Sequence, residues 1–274
     1  MTRIAIIGVT GRMGRAIVRA AKDSHDGQIK DVQIVAGLAS AGSREIGKDI
    51  GELAGLDPSG IVVTSDLRAA LAQCDVAIDF SNVAATAANL DACKALRKPL
   101  VIGTTGFSSD VEREIEKAAR DIAVLVAANT SLGVTLLIEL VRAAAKALPA
   151  DFDIEISEAH HRHKRDAPSG TALALGNAAA QARGQHLAQV SAVSRNGESP
   201  RREGEIGFAV TRGGDVVGEH TVLFLGAGEQ LTLGHRATDR SIFARGALKA
   251  ATWLTARPVG RYWMRDVVGY KTEA

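Results

Sequence analysis

The short apolar run at residues 3 to 7 stops at Gly8-Val-Thr-Gly11-Arg-Met-Gly14, and helical periodicity follows over 12 to 24, with Met13, Ile17, Val18 and Ala21 available to one face. Strand, glycine turn and helix in that order commit the chain to an α/β beginning. The free N–H groups and positive end of such a helix receive a pyrophosphate. Thr10 stands where a glycine usually lets backbone and pyrophosphate approach, so the spacing alone is a weaker signature than Gly-x-Gly-x-x-Gly. A turn that serves only strand-to-helix packing is the competing reading.

The alternation continues. Short apolar runs at Val32 to Leu38, Ile61 to Thr64, Val76 to Phe80, Leu100 to Gly103 and Ile122 to Ala127 are separated by helical patterns at 66 to 73, 84 to 96 and 109 to 120. This predicts a Rossmann-type, doubly wound, mainly parallel sheet with helices on both faces. In such a sheet ligands bind at the carboxyl ends of strands, which brings Gly103-Thr-Thr105 and Ala127-Ala-Asn-Thr130 to the rim occupied by Gly8 to Met13. Ordinary loop chemistry is the alternative for the two later segments. The end of the second strand, Ala39-Ser40, offers no carboxylate to a ribose, which favours NADPH while leaving NADH open.

From Ser131 the pattern changes. Leu132 to Leu148 reads as one apolar helix and Phe152 to Ser157 as a half-buried strand, followed by a helix at 170 to 183. Strands are then predicted near 189 to 194, 205 to 211, 216 to 225 and 228 to 235, joined by Gly-rich turns. We therefore expect a dinucleotide-binding domain over 1–130, completed by a returning segment 241–274 whose helix spans 240 to 256. The second, α+β domain is expected over 131–240, built on a mixed or antiparallel sheet.

That second domain carries Glu158-Ala-His-His-Arg-His-Lys-Arg-Asp-Ala-Pro-Ser-Gly-Thr171, which gathers three of the seven histidines and three cations before a helix start. Histidines transfer protons near neutral pH, and Arg162, Lys164 and Arg165 supply positive charge. Ser169 suits a helix cap, and N–H groups around Gly170 and Thr171 suit a carboxylate. The chemistry points to a small dianion. A metal site is disfavoured, because no cysteine completes a ligand set and His161 and His163 are separated by one residue.

Composition excludes other classes. A net charge of +2 from 33 basic and 31 acidic residues gives no basic excess for nucleic acid. No apolar run approaches the ~20 residues needed to span a bilayer, and no charged leader precedes the first strand. Cys74 and Cys93 form no disulfide framework, so reduced thiols and a cytoplasmic location are expected.

The long histidine motif resembles that of the dihydrodipicolinate reductase family. Supporting likenesses run in order through nearly the whole chain: Gly11-Arg-Met-Gly14, Gly51-Glu-Leu-Ala-Gly55, Asp79-Phe80, Val101 to Phe107, Ala127-Ala-Asn129, Gly218-Glu-His-Thr221 and Phe243 to Ala247. The resemblance implies NADH- or NADPH-dependent reduction of a cyclic dicarboxylate with loss of its 4-hydroxyl as water, by a homotetramer assembled through the second domain. It implies His160 as the acid/base residue and Lys164 as its cationic partner and an alternative proton donor. His161, Ser169, Gly170 and Thr171 would hold carboxylates. The dinucleotide would meet Gly8, Val9, Thr10, Gly11, Arg12 and Met13, together with Gly103, Thr104 and Thr105, and Ala127, Ala128, Asn129 and Thr130. Ala39-Ser40 departs from the acidic residue and arginine of many members, and Thr130 from their usual aromatic. Rival readings are another two-domain nicotinamide-dependent reductase, acting on a different carboxylate, and a non-catalytic dinucleotide sensor; the sensor needs no paired histidine and lysine.

Overall fold

The computed structural model describes residues 1–23, 31–193 and 195–270. Residue 24 of the first expected helix, residue 194 of one expected strand and residues 271–274 of the returning segment lie outside the described residues. The chain divides into two compact units, Leu132–Arg240 and the remainder, consisting of Met1–Ser131 with the segment from Ser241 onward.

The first unit alternates in chain order: β1 (Thr2–Ile7), α1 (Arg12–Lys22), β2 (Val32–Leu38), α2 (Ile50–Leu53), β3 (Val63–Thr64), α3 (Leu67–Gln73), β4 (Val76–Asp79), α4 (Val83–Ala95), β5 (Leu100–Ile102), α5 (Ser109–Ala118) and β6 (Ala123–Val126). The second unit holds α6 (Leu132–Ala147), β7 (Asp153–His160), α7 (Gly170–Ala182), α8 (Leu187–Val190), β8 (Ser191–Ala192), β9 (Ile206–Arg212), β10 (Gly218–Gly226) and β11 (Glu229–Ala237). The chain then returns to the first unit with α9 (Ser241–Leu254), β12 (Gly260–Tyr262) and α10 (Met264–Val268).

Seven parallel strands of the first unit stand in the order β12-β6-β5-β4-β1-β2-β3. Successive side chains of a strand point to opposite faces, and here both faces are apolar. Ile4 and Ile6 join Ile17 of α1 and Leu248 of α9 in one core, whereas Ala5 and Ile7 join Leu71, Leu90 and Ile115 of α3, α4 and α5 in the other. The strand order reverses between β1 and β4, which makes their carboxyl ends the place for a ligand. Cys74 and Cys93 are both free and buried in the second of these cores.

The second unit is a mixed sheet in the order β11-β10-β7-β9-β8. β10 runs antiparallel to both β11 and β7, and β9 runs parallel to β7 and β8. Ile154 and Ile156 of β7 pair in register with Ile206 and Phe208 of β9 and with Phe224 and Val222 of β10. All six are buried in a core with α6 and α7. Two residues further along its strand for Glu158 and His220, and four for His160 and Arg212, the period-two alternation brings these side chains to the face that the core occupies. One end of an apolar sheet face is thus charged, beside the first turn of α7.

Several elements differ from the sequence-based expectation. β7 continues past Ser157 to His160, and the strand expected from 189 is a turn of helix followed by two strand residues. β12 and α10 have no counterpart in it: three strand and five helix residues are too few to show a period.

Candidate active site

In the first unit the glycine turn is shaped by contact. A Cβ on Gly8 would stand 2.7 Å from the Phe80 carbonyl oxygen, at a φ of +84°, and one on Gly14 would stand 2.4 Å from the Gly8 oxygen. Helices α2, α3, α4 and α5 are each capped by a side chain, from Asp49, Asp66, Asn82 and Ser108. At α1 the cap position is Gly11, with no side-chain cap and no acid in the first turn. The first N–H groups of a helix have no intrahelical acceptor, so this end is chemically suited to phosphate. A groove of about 350 Å³ runs beside it, lined among others by Gly8, Thr10, Gly11, Ala39, Ser40 and Asn82. Gly103, Thr104 and Thr105 line a neighbouring groove with Phe80. These residues fit a dinucleotide.

Two expected contact residues are turned inward. Val9 is buried in the core, and Thr130 is buried with its hydroxyl donating to the Phe243 carbonyl of α9 at 2.7 Å. Either would meet a cofactor through its backbone. Ala127 is also buried, its N–H donating to Ile102 at 2.9 Å, while Ala128 is exposed and Asn129 half-buried, its side-chain oxygen accepting from the Ser131 N–H at 2.9 Å.

In the second unit Glu158 is the centre of the polar end. Its side chain is fully excluded from solvent. Arg212 donates to both of its oxygens, 2.8 Å each, the Ser169 N–H donates to Oε1 at 3.0 Å, and His160 Nδ1 lies 2.5 Å from Oε2. Burial, the largest single influence, would raise the carboxyl's pKa, but these donors together outweigh it and hold Glu158 below the usual carboxylate range. Arg212 is also anchored to the Asp166 carbonyl at 2.6 Å.

Ser169 caps α7, accepting from Ala172 N–H at 3.2 Å, and its hydroxyl lies 3.0 Å from His220 Nε2. With 1% exposure, its side chain holds the helix start from within, whereas Gly170 is exposed. His220 is buried and stands edge-on to His160 at 5.1 Å; burial first, then the charge of His160, lowers its pKa to about 4. Lys164 is paired with Asp166 at 2.9 Å, and its hydrogen bond is the first cause holding that carboxyl below its ordinary value. Burial, then the positive field of Arg240, His163, His160 and Lys164, lowers His161.

β7, the loop after it and α7 thus bring His160, His161, Lys164, Ser169, Gly170 and Thr171 together within one unit. Sequence reasoning assigned no role to Glu158, Arg212 or His220. The signal was available in their alternation with Ile156, Phe208 and Val222, which puts polar groups at core-facing positions. No group of three or more His, Cys, Asp or Glu suited to a metal occurs among the described residues.

A parallel, doubly wound sheet of the nucleotide-binding type in one unit and a histidine-rich polar cluster in the other define the class of a two-unit oxidoreductase. Family comparison gives the particular one: residues 2–130 match the model of the dihydrodipicolinate reductase N-terminus and 133–268 that of its C-terminus. The chain belongs to the dihydrodipicolinate reductase family. It is 46% identical to 4-hydroxy-tetrahydrodipicolinate reductase of Anaeromyxobacter dehalogenans over 99% of each chain. The corresponding protein of Alkalilimnicola ehrlichii is 48% identical over 98% of this chain and 99% of that one. Among solved structures, the fold is similar to dipicolinate-bound dihydrodipicolinate reductase from Paenisporosarcina sp. TG-14, with a TM-score of 0.75, 24% identity and coverage of 96% and 97%. Amine dehydrogenase from Mycobacterium smegmatis shares the fold at a TM-score of 0.60, 15% identity and coverage of 96% and 95%.

Proposed function

We propose that the chain catalyses the NAD(P)H-dependent reduction of 4-hydroxy-2,3,4,5-tetrahydrodipicolinate to tetrahydrodipicolinate with loss of water, a step of lysine and diaminopimelate biosynthesis, and that His160 supplies its proton. The carrying observation is the buried carboxylate that grips His160 at the mouth of a helix start.

Reduction adds a hydride and a proton across an unsaturated bond, and loss of water removes the 4-hydroxyl. When bound, the reduced nicotinamide supplies the hydride. His160 gives the proton, and Lys164 offsets the charge that develops. The Lys164–Asp166 pair would loosen as a dianion competes for the ammonium. His161, Gly170 and Thr171 hold the carboxylates, and Ser169 keeps the first turn of α7 in place for them. Gly8 to Met13, Ala39, Ser40, Gly103 to Thr105 and Ala127 to Thr130 hold the dinucleotide, Val9 and Thr130 by backbone. The lack of a carboxylate at Ala39-Ser40 favours the 2′-phosphate of NADPH.

We read the molecule as a cytoplasmic homotetramer. Two reduced, buried cysteines suit a reducing compartment. On the sheet face of the second unit opposite its core, Ser157 and Ala209 are exposed and Leu223 is half-buried, a surface suited to a second copy. No helix among the described residues is long and apolar enough to cross a membrane.

His160→Gln tests the assignment: kcat should fall about 100-fold or more, in keeping with the contribution of a general acid, while dipicolinate affinity stays within a few-fold. A pH–rate profile unchanged in His160→Gln would remove His160 from the mechanism.

A further inference from the structure

We propose that Glu158 is a positioning residue that fixes the His160 imidazole with a proton on Nδ1, so that Nε2 is the one ring nitrogen able to exchange a proton with the substrate. The inference rests on the assignment of His160 as proton donor and adds which nitrogen acts and what selects it.

An ionised carboxylate accepts hydrogen bonds and has none to give, so the 2.5 Å contact requires Nδ1 to donate. Glu158 has no freedom to turn away. Both its oxygens receive Arg212, and Oε1 also receives the Ser169 N–H of the α7 cap. Its side chain has no solvent access, whereas that of His160 keeps 11%. A Cβ on residue 218 would stand 3.0 Å from His160 Nε2, so glycine at that position leaves room at the nitrogen that must exchange.

The charged and titratable groups facing the imidazole come from every neighbouring element. Glu158 lies on its own strand, Arg212 pairs opposite it on β9, and His220 stands edge-on from β10. His161 and Lys164 follow in the loop. Arg212 is spent on Glu158, and His220, with its pKa lowered by burial, is a neutral neighbour at pH 7. During turnover the Nε2–H bond breaks and its electron pair stays on nitrogen. The proton goes to the substrate, and the ring is left neutral as the Nδ1–H tautomer, still bonded to Glu158. Solvent then returns a proton to Nε2. A ring locked the other way would present a lone pair where a proton is needed.

The test uses the full chain labelled with ¹⁵N-histidine, reading the His160 ring tautomer by NMR at a pH where the ring is neutral, alongside pH–kcat profiles of wild type, Glu158→Gln and Glu158→Asp. The wild-type ring should be the Nδ1–H tautomer. Glu158→Gln, whose amide both donates and accepts, should show a mixture of tautomers. Its kcat should fall about 10- to 100-fold, the cost of removing a partner that orients an acting histidine, with KM within about threefold. Glu158→Asp should recover part of the rate and of the single-tautomer signal.

A wild-type Nε2–H tautomer overturns the inference, as does a Glu158→Gln enzyme with unchanged kcat and tautomer. If Glu158→Gln does not fold, the wild-type tautomer decides alone. An unaltered profile in His160→Gln would instead overturn the acid assignment while the tautomer stayed as measured, so the two failures are distinguishable.

Discussion

At Gly103 the constraint is space. A Cβ there would stand 2.1 Å from a ring atom of Phe80, and the ring sits at the end of β4 beside the glycine turn. Gly103→Ala should therefore cost about 1–3 kcal/mol of stability, the usual price of overfilling a packed site, read from urea unfolding, and should weaken dinucleotide binding as Phe80 moves. His220 gives a pH-dependent prediction. Its pKa is about 4 in the fold against an ordinary 6.5, so between those values the unfolded chain binds more protons. Stability should then fall as the pH is lowered through that window, by about 2 kcal/mol from pH 7 to pH 5 from this residue. His220→Gln should lose less over the same interval; equal losses in both proteins would contradict it. The histidine motif was legible in the sequence because seven charged or titratable residues, 160 to 166, stand side by side. Glu158, Arg212 and His220 belong to three different strands, and only strand pairing reveals that they meet.

Helix starts carry the next level. Gly11 takes an extended cap conformation with φ −74° and ψ 168°, which any residue adopts. Gly11→Asp would cap α1 and place a negative charge where the dinucleotide phosphate is proposed to bind. Stability should change by less than about 1 kcal/mol, while NADPH affinity measured by calorimetry should drop at least about tenfold. Retained affinity would remove α1 from the cofactor site. At α7 the opposite holds. Ser169→Ala removes the cap on Ala172 and the contact with His220, and should lower stability by about 1–2 kcal/mol. At this scale the long periodic helices α1, α4, α5, α6, α7 and α9 and the apolar strands were readable within a few residues. β7 read short, because Glu158 and His160 at core-facing positions hide the strand's own alternation. α2, with four residues, has no period to detect and depends on the Asp49 cap, which accepts from Gly51 and Glu52.

For the molecule as a whole, the alternation of strands and helices gave the doubly wound class, and the run of strands after 189 gave the second sheet. The order β12-β6-β5-β4-β1-β2-β3 and the mixed pairing of β7 with β9 and β10 were beyond reach, since pairing depends on which faces of distant segments bury each other. The candidate site followed the same division: the segments proposed to bind anions were legible locally, whereas the contacts of Glu158 with Arg212, Ser169 and His160 exist only in the folded second unit. The most direct measurement is the oxidation of NADPH, and separately of NADH, followed by absorbance with freshly generated 4-hydroxy-2,3,4,5-tetrahydrodipicolinate. Turnover with at least one of them, inhibited by dipicolinate and lost in His160→Gln, is the expected result. No turnover with either, from a folded protein that binds the dinucleotide, would contradict the reductase reading.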